Sequence, residues 1–208
     1  MAALSDPLTG LGNRRALAEA KLPSASSLIE LDLDHFKQVN DSFGHDAGDQ
    51  ILMQLSRVLR ASVREQDQSF RLGGKEFLVL LPEADQATAL LVAERIRLSV
   101  RQRDLEGVAP DRRLTVSLGV STQSVQLSSE FSEVMDLADQ ALYAAKGAGR
   151  DRVCAADGLS LSHRQAGAAP GGEYPPILES QWWPPGIPVL PPPVIETTVL
   201  SGSRRLAP

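Results

Sequence analysis

The chain has 208 residues, 42% hydrophobic and 23% charged, a composition typical of a folded globular protein. Its net charge of −5 argues against a general affinity for nucleic acid or for anionic membranes. Its single cysteine, Cys154, excludes an intramolecular disulfide and a cysteine-rich zinc cluster. Since no apolar run approaches the roughly 20 residues needed to cross a bilayer, we expect a cytoplasmic protein with no membrane or nucleic-acid partner.

Proline marks a change in the chain near Cys154. Ten of the 14 prolines follow that residue, including three in succession at residues 191–193. Proline cannot continue a helix, and it removes the hydrogen-bond donors of a sheet. We therefore predict one domain over residues 1–154 and a disordered, proline-rich tail over residues 155–208. The spacing of a proline-rich recognition peptide at residues 188–191 is an alternative interpretation of part of this tail.

The predicted elements before Cys154 alternate between strands and helices. In chain order they are a dense apolar strand at 27–33, a helix with its apolar face between Ile51 and Val63, short strands at 70–71 and 77–81 around a Gly-Gly turn, a helix at 87–100, a strand at 114–120 and a helix at 131–146. In the predicted helix at 87–100, we expect both Leu90 and Leu91 to face inward. One antiparallel hairpin among mixed elements predicts an α+β sheet with packed helices.

Three clusters carry possible chemistry. Asp32 and Asp34 end a buried strand, where carboxylates can hold a divalent metal or simply cap the next helix. Gly73 and Gly74 form a tight turn that permits close approach of a ligand, although most such turns are only hairpins. Lys146 and Arg150, four residues apart at a helix end, can bind phosphates or interact with the helix dipole.

Together these segments resemble the GGDEF domain, the catalytic module of diguanylate cyclases. The resemblance rests on four blocks in the family's order: DPLTGLGNRR at 6–15, DLDHFKQVNDSFGHDAGD at 32–49, RLGGKEF at 71–77 and DQALYAAKGAGR at 139–150. It implies a central, mainly antiparallel sheet with helices on its faces, like that of nucleotide cyclases and polymerase palm domains. It also implies a homodimer in which two GTP molecules condense to cyclic di-GMP, and it leaves the tail without a counterpart.

The resemblance assigns a role to each matched residue. Mg²⁺ would be bound by the side chain of Asp32 and the backbone carbonyl of Leu33, and the loop at Gly73 and Gly74 would lie against the nucleotide. The remaining GTP contacts would come from side chains that bind guanine or phosphate: Asn40 and Asp49 for guanine, Lys146 and Arg150 for the terminal phosphates, with help from Lys37. Phosphoryl transfer requires this kind of positioning and charge neutralisation more than covalent chemistry.

One position departs from the family pattern. Active members have Asp or Glu as a metal ligand where this chain has Lys75, although Glu76 and Phe77 follow as expected. Replacing a carboxylate by an ammonium opposite a divalent ion costs on the order of 10 kcal/mol before relaxation, and an ammonium offers no lone pair to Mg²⁺. We therefore expect little or no synthesis. Lys75 pairing with Asp32, to leave a weak metal-free GTP site, and a pocket empty of nucleotide are the two outcomes left open.

A second family feature survives upstream of the loop. Arg64 and Asp67 match the RxxD inhibitory site that binds cyclic di-GMP, and Arg95 stands where the family has a further arginine for that ligand. The forked guanidinium group of arginine suits a cyclic phosphodiester and can stack on guanine, while the carboxylate of Asp67 can accept hydrogen bonds from the edge of a guanine. An RxxD motif by itself is a weak signal, because charged helices contain it often.

Three hypotheses follow for the function. The first is a degenerate GGDEF domain that acts as a cyclic di-GMP or GTP binding module. The second is an active diguanylate cyclase that tolerates Lys75. The third is a truncated remnant, favoured by a domain that begins almost at Met1 and by the abrupt change in composition after Cys154.

Overall fold

The central strand of the protein comes from a segment dense in apolar residues. In the computed structural model, which describes residues 3–20, 23, 25–103, 108–109, 113–122 and 131–156, every residue of β1 (Ser27–Leu33) is buried. It lies in the middle of a five-stranded sheet of order β2-β3-β1-β4-β5, formed with β2 (Gln68–Gly73), β3 (Glu76–Leu81), β4 (Val116–Thr122) and β5 (Val153–Ala155). All pairings are antiparallel except that of β4 with β5. The predicted α+β fold is confirmed.

Helices cover both faces of the sheet. The described helices are α1 (Arg14–Glu19), α2 (Phe36–Phe43), α3 (His45–Ser62), α4 (Gln86–Arg101) and α5 (Phe131–Gly147). Alternate residues of β1 point to opposite faces: Ile29 and Leu31 join a core with α2, α3 and α4, whereas Leu28 joins a second core with α1 and α5. The side chains of β1 that share a face with Leu28 therefore lie beneath α5.

Three elements were not predicted from the sequence, namely α1, α2 and β5. β5 extends to Ala155, and the amide of Ala156 still donates to the carbonyl of Val120 at 2.8 Å, so the folded part crosses the predicted boundary at residue 154. The rest of the predicted tail lies outside the described residues. Within that described part, no helix is long and apolar enough to cross a membrane.

One predicted core position was wrong, and another differs in backbone conformation. Leu91 is 41% exposed, because α4 packs along a stripe of other residues, Ala89, Val92, Ala93, Ile96 and Val100. Val63 follows the last turn of α3 in extended backbone and only packs partly against the core.

Candidate functional site

The site is built where β1 ends beside the turn between β2 and β3. Asp32, the second-last residue of β1, is paired in register with Glu76, the first residue of β3, and its side chain is only 3% exposed. This register brings the turn that precedes Glu76 next to the carboxylate of Asp32. The predicted proximity of Asp32 and Lys75 is therefore a consequence of strand pairing.

The turn requires glycine and is held by an arginine. Gly74 has a φ of +49°, in the left-handed region that side chains disfavour, and open space surrounds it. The guanidinium of Arg71 donates two hydrogen bonds to the carbonyl of Gly74, at 3.0 and 2.9 Å, and forms an ion pair with Asp6 at 3.1 Å. Although burial opposes it, hydrogen bonds from Thr9 and Arg71 keep the pKa of Asp6 below its usual value. No motif in the sequence had predicted these contacts of Arg71 with Gly74 and Asp6.

Lys75 occupies the centre of the site. Its Nζ lies 3.0 Å from Oδ1 of Asp32 and donates to the carbonyl of Leu33 at 3.4 Å. These are the two oxygens that the family resemblance assigns to Mg²⁺. The third ligand position therefore carries a cation that contacts the other two ligands.

The residues present do not fit Mg²⁺. This ion needs oxygen ligands in near-octahedral geometry, and the ammonium of Lys75 can only repel it. Among the described residues, no group of three or more His, Cys, Asp or Glu side chains is arranged to hold a metal ion.

A second lysine reaches the same carboxylate from α5. Nζ of Lys146 lies 3.3 Å from Oδ2 of Asp32, so each carboxylate oxygen of this buried residue faces an ammonium. Arg150, the other predicted phosphate ligand, is exposed beyond the end of α5, with a φ of +65° and its amide bonded to the carbonyl of Ala145. Lys146 thus reaches the end of β1 from α5, whereas Arg150 lies in the segment that follows the helix.

Asp34 has a structural role in this arrangement. Its buried carboxylate accepts hydrogen bonds from the hydroxyls of Thr115 and Ser117 at 2.8 and 2.7 Å, and from the amide of Asp151 at 3.1 Å. It therefore fastens the segment after Arg150 to the sheet. For Asp34, the described contacts are therefore structural.

The predicted guanine contacts lie on α2 and α3. Oδ1 of Asn40 is buried and has no hydrogen-bond partner among the described residues. A Cβ on Gly48 would lie only 2.0 Å from that oxygen, so glycine at this position leaves the amide its room. Asp49 follows directly and is exposed, as is Lys37. The unpartnered oxygen of Asn40 and the exposed carboxylate of Asp49 are both acceptors that suit the hydrogen-bond donors on the edge of a guanine base.

The RxxD residues form a closed cluster away from the turn. Nη2 of Arg64 lies 3.1 Å from Oδ1 of Asp67, and their side chains are only 7% and 0% exposed. Arg64 also donates to the carbonyl of Pro82 at 3.1 Å. Arg95 on α4 donates to the carbonyl of Ser62, two residues before Arg64. The structure thus brings the three predicted residues into one region, with Asp67 facing Arg64 rather than solvent.

An acidic residue that the sequence reasoning missed lies beneath α5. Burial, together with the charges of Asp139 and Glu76, raises the pKa of Glu30 from 4.5 to about 7, although Lys146 opposes the shift. Glu30 is 9% exposed and stands one alternation before Asp32 on the same face of β1. A glutamate in the middle of a strand dense in apolar residues was the signal that could have indicated it.

The fold and this arrangement define a class of protein: a palm-like α+β nucleotide-cyclase domain with its site at the β2–β3 turn. The family model described as "Diguanylate cyclase, GGDEF domain" matches residues 3–152. The chain belongs to the GGDEF domain family of diguanylate cyclases.

Its relatives are longer proteins. The chain is 40% identical over 164 residues to diguanylate cyclase DgcM of Escherichia coli (strain K12), a match covering 74% of this chain and 39% of the relative. Diguanylate cyclase DgcP of Pseudomonas aeruginosa is 39% identical over 160 residues, covering 73% and 24%. The crystal structure of the GGDEF domain of DgcB from Caulobacter crescentus in complex with c-di-GMP has a TM-score of 0.69 and 33% identity, covering 75% of this chain and 97% of that one. The chain thus spans about two fifths or less of these curated relatives.

Proposed function

We propose that this chain is a catalytically degenerate GGDEF domain that binds cyclic di-GMP and makes little or none of it. The observation that carries the proposal is the position of Lys75, whose ammonium contacts both the carboxylate of Asp32 and the carbonyl of Leu33. An α-phosphate can be attacked efficiently only when its charge is neutralised and its geometry fixed. The ammonium supplies charge but no coordination sphere to orient the phosphates.

Product binding is supported by the cluster of Arg64, Asp67 and Arg95. Two guanidinium groups near one carboxylate match a ligand that has phosphodiesters and guanine edges. The related domain of DgcB was crystallised with c-di-GMP. Because Arg64 and Asp67 are now paired and buried, ligand binding must open their contact, and part of the binding energy is used to do so.

Calorimetric titration of the full chain with cyclic di-GMP tests this function. We expect saturable binding that Arg64→Ala weakens roughly 10- to 150-fold, since a charged hydrogen bond is worth about 1.5–3 kcal/mol. In the family, an intercalated dimer of the ligand would bridge two protomers. The binding curve should therefore become steeper as the protein concentration rises. Lys75→Ala serves as the control in the separate site and should leave the affinity within about twofold.

Arg64→Ala is also expected to destabilise the folded protein, because it leaves the buried Asp67 without its guanidinium partner. Arg64→Lys keeps the ion pair but loses the fork that engages a phosphodiester, so it should fold and still bind weakly. Thermal unfolding of both variants separates loss of binding from loss of structure. Unchanged affinity in a folded Arg64→Lys variant, or no saturable binding by the unmodified chain, would reject the receptor function.

A synthesis assay addresses the catalytic half of the proposal. The unmodified chain, given GTP and Mg²⁺, should form cyclic di-GMP at no more than the level of the Asp32→Asn variant. Efficient turnover that Asp32→Asn abolishes would instead establish an active cyclase that tolerates Lys75.

Metal-independent GTP binding is the second candidate, and the orphaned acceptor on Asn40 favours it. The ammonium groups of Lys75 and Lys146 both contact Asp32. When a triphosphate binds, these two ammonium groups can exchange the single carboxylate for several phosphate oxygens. GTP should then bind equally well in EDTA and in Mg²⁺. A requirement for Mg²⁺ would contradict this mode of binding.

A further inference from the structure

A cavity of about 530 Å³ opens between α1, the sheet and α5, on the face of the sheet that carries Glu30. Its lining includes four carboxylates, those of Glu30, Glu76, Asp136 and Asp139, and a single guanidinium, that of Arg14. This volume falls within the range of about 300–1,000 Å³ that is usual for small-molecule sites. The cavity therefore combines the size of a ligand site with an excess of negative charge.

Glu30 forms the floor of this cavity. Its residue is 9% exposed, and no hydrogen bond or ion pair to its carboxylate occurs in the part of the chain that the structure describes. The oxygens of this carboxylate are not fully shielded, so they open onto the cavity, where a polar group usually finds a partner. An unpartnered carboxylate at the base of a cavity is what a cationic ligand would complete.

The other carboxylates are spread along the cavity rather than gathered at one point. Glu30 pairs in register with Leu78, and Asp32 with Glu76, so Glu30 and Glu76 are diagonal neighbours about 7–8 Å apart. Asp136 and Asp139 are three residues apart on α5, with Cβ atoms about 5–6 Å from each other. Such a spread does not suit one metal ion, and the described residues contain no group of carboxylates arranged to hold one.

Apolar side chains separate these charges. Leu17 of α1, Leu72 of β2 and both Phe131 and Met135 of α5 line the same cavity. Arg14 at the mouth donates its Nε–H to the carbonyl of Leu72 at 2.6 Å, which anchors it to β2. A suitable ligand thus needs cationic groups several ångströms apart on an apolar chain.

We propose that this cavity binds a linear aliphatic polyamine, with one ammonium on Glu30 and Glu76 and another on the carboxylates of α5. The methylene chain between them lies against Leu17 and Phe131. This binding is separate from the contacts of Lys75 with Asp32, and it does not depend on whether the domain binds cyclic di-GMP.

Titration calorimetry of the full chain with spermidine, at physiological ionic strength and mildly alkaline pH, tests the proposal. We expect saturable binding with a Kd below about 1 mM. Glu30→Gln should raise that Kd at least about tenfold, because it removes a charged hydrogen bond. The substitution preserves the shape of the side chain, and circular dichroism checks that the variant is folded.

Glu133→Gln is the matched control. Glu133 lies in the first turn of α5, is exposed and does not line the cavity, yet its substitution removes the same charge from the same helix. It should alter the Kd by less than about twofold, as is usual for an exposed charge in salt. Equal weakening by Glu133→Gln would reveal diffuse attraction and overturn the proposal. Absence of saturation, or Mg²⁺ competing with spermidine at equal concentration, would overturn it as well.

Discussion

Lys75→Glu should turn the present lysine cluster into a metal site, and it can be followed without any catalytic assay. The substitution restores the family's carboxylate beside Asp32 and the carbonyl of Leu33. Without metal, two carboxylates then face each other where an ammonium had been 3.0 Å from Asp32. We expect the metal-free variant to be less stable than the unmodified protein.

The contacts set the size of this effect. An ion pair at 3.0 Å has an attraction of roughly 5 kcal/mol at an effective dielectric of 20, as an upper bound. Lys75 is 39% exposed, and Lys146 still contacts Asp32 after the substitution, so solvent and the second lysine reduce the loss. A decrease of about 2–3 kcal/mol in the free energy of unfolding is expected.

Mg²⁺ should reverse this loss in the variant alone. At a concentration 100 times its Kd, a ligand stabilises the folded state by about 2.7 kcal/mol. For a domain of this size, that corresponds to an increase in Tm of about 5–10 °C. Scanning calorimetry of both proteins, in EDTA and in Mg²⁺, measures the difference.

Lys37→Glu provides the control for this experiment. Lys37 is an exposed lysine of α2, and its substitution makes the same change in net charge as Lys75→Glu. It should show no Mg²⁺-dependent increase in Tm. If Mg²⁺ stabilises the unmodified chain as much as it stabilises Lys75→Glu, Lys75 does not block the metal and the degenerate-site explanation fails.

Three further substitutions test individual contacts. In the folded protein the pKa of Glu30 is about 7, against 4.5 for an ordinary glutamate. The free energy of unfolding therefore falls as the pH rises through the range between these two values. Urea unfolding should therefore show Glu30→Gln more stable above about pH 8, by about 1–3 kcal/mol, and no different below about pH 4; a constant difference would contradict this. Gly48→Ala should displace the amide of Asn40 and weaken GTP binding at least about tenfold, with stability unchanged within about 1 kcal/mol; retained binding would separate Asn40 from guanine. Gly119→Ala would bring its Cβ within 2.1 Å of the carbonyl oxygen of Ala138 on α5, so thermal unfolding should show a loss of more than about 3 kcal/mol, whereas a loss below about 1 kcal/mol would contradict the close packing.

Local sequence signals were sufficient for most of the framework. The apolar run that became β1 was predicted with its observed bounds, because a strand buried on both faces needs no alternation. The Gly-Gly turn and the helix ending near Gly147 were likewise predicted from residues with strong conformational preferences. The short helix α1 and the three-residue strand β5 were missed, since such brief elements form mainly through tertiary contacts.

The order of the motifs along the chain was enough to identify the family and to single out Lys75 as its departure. No sequence pattern could specify which groups this lysine contacts, because the pairing of β1 with β3 brings together residues 42 positions apart. The same holds for Lys146, which reaches Asp32 only because α5 packs over that face of the sheet. Contacts between distant segments depend on how the helices pack, and local preferences do not encode that packing.

Burial is the other property that only the tertiary structure decided. Glu30 and Leu91 both occur in apolar patterns, yet the glutamate is buried at the base of a cavity and the leucine is exposed. Arg64 and Asp67 were predicted as ligand-binding groups, and the fold has paired them with each other in the interior. The sequence by itself determined which charged groups this protein has at each motif, while chain packing determined the solvent exposure and the partners on which their chemistry depends.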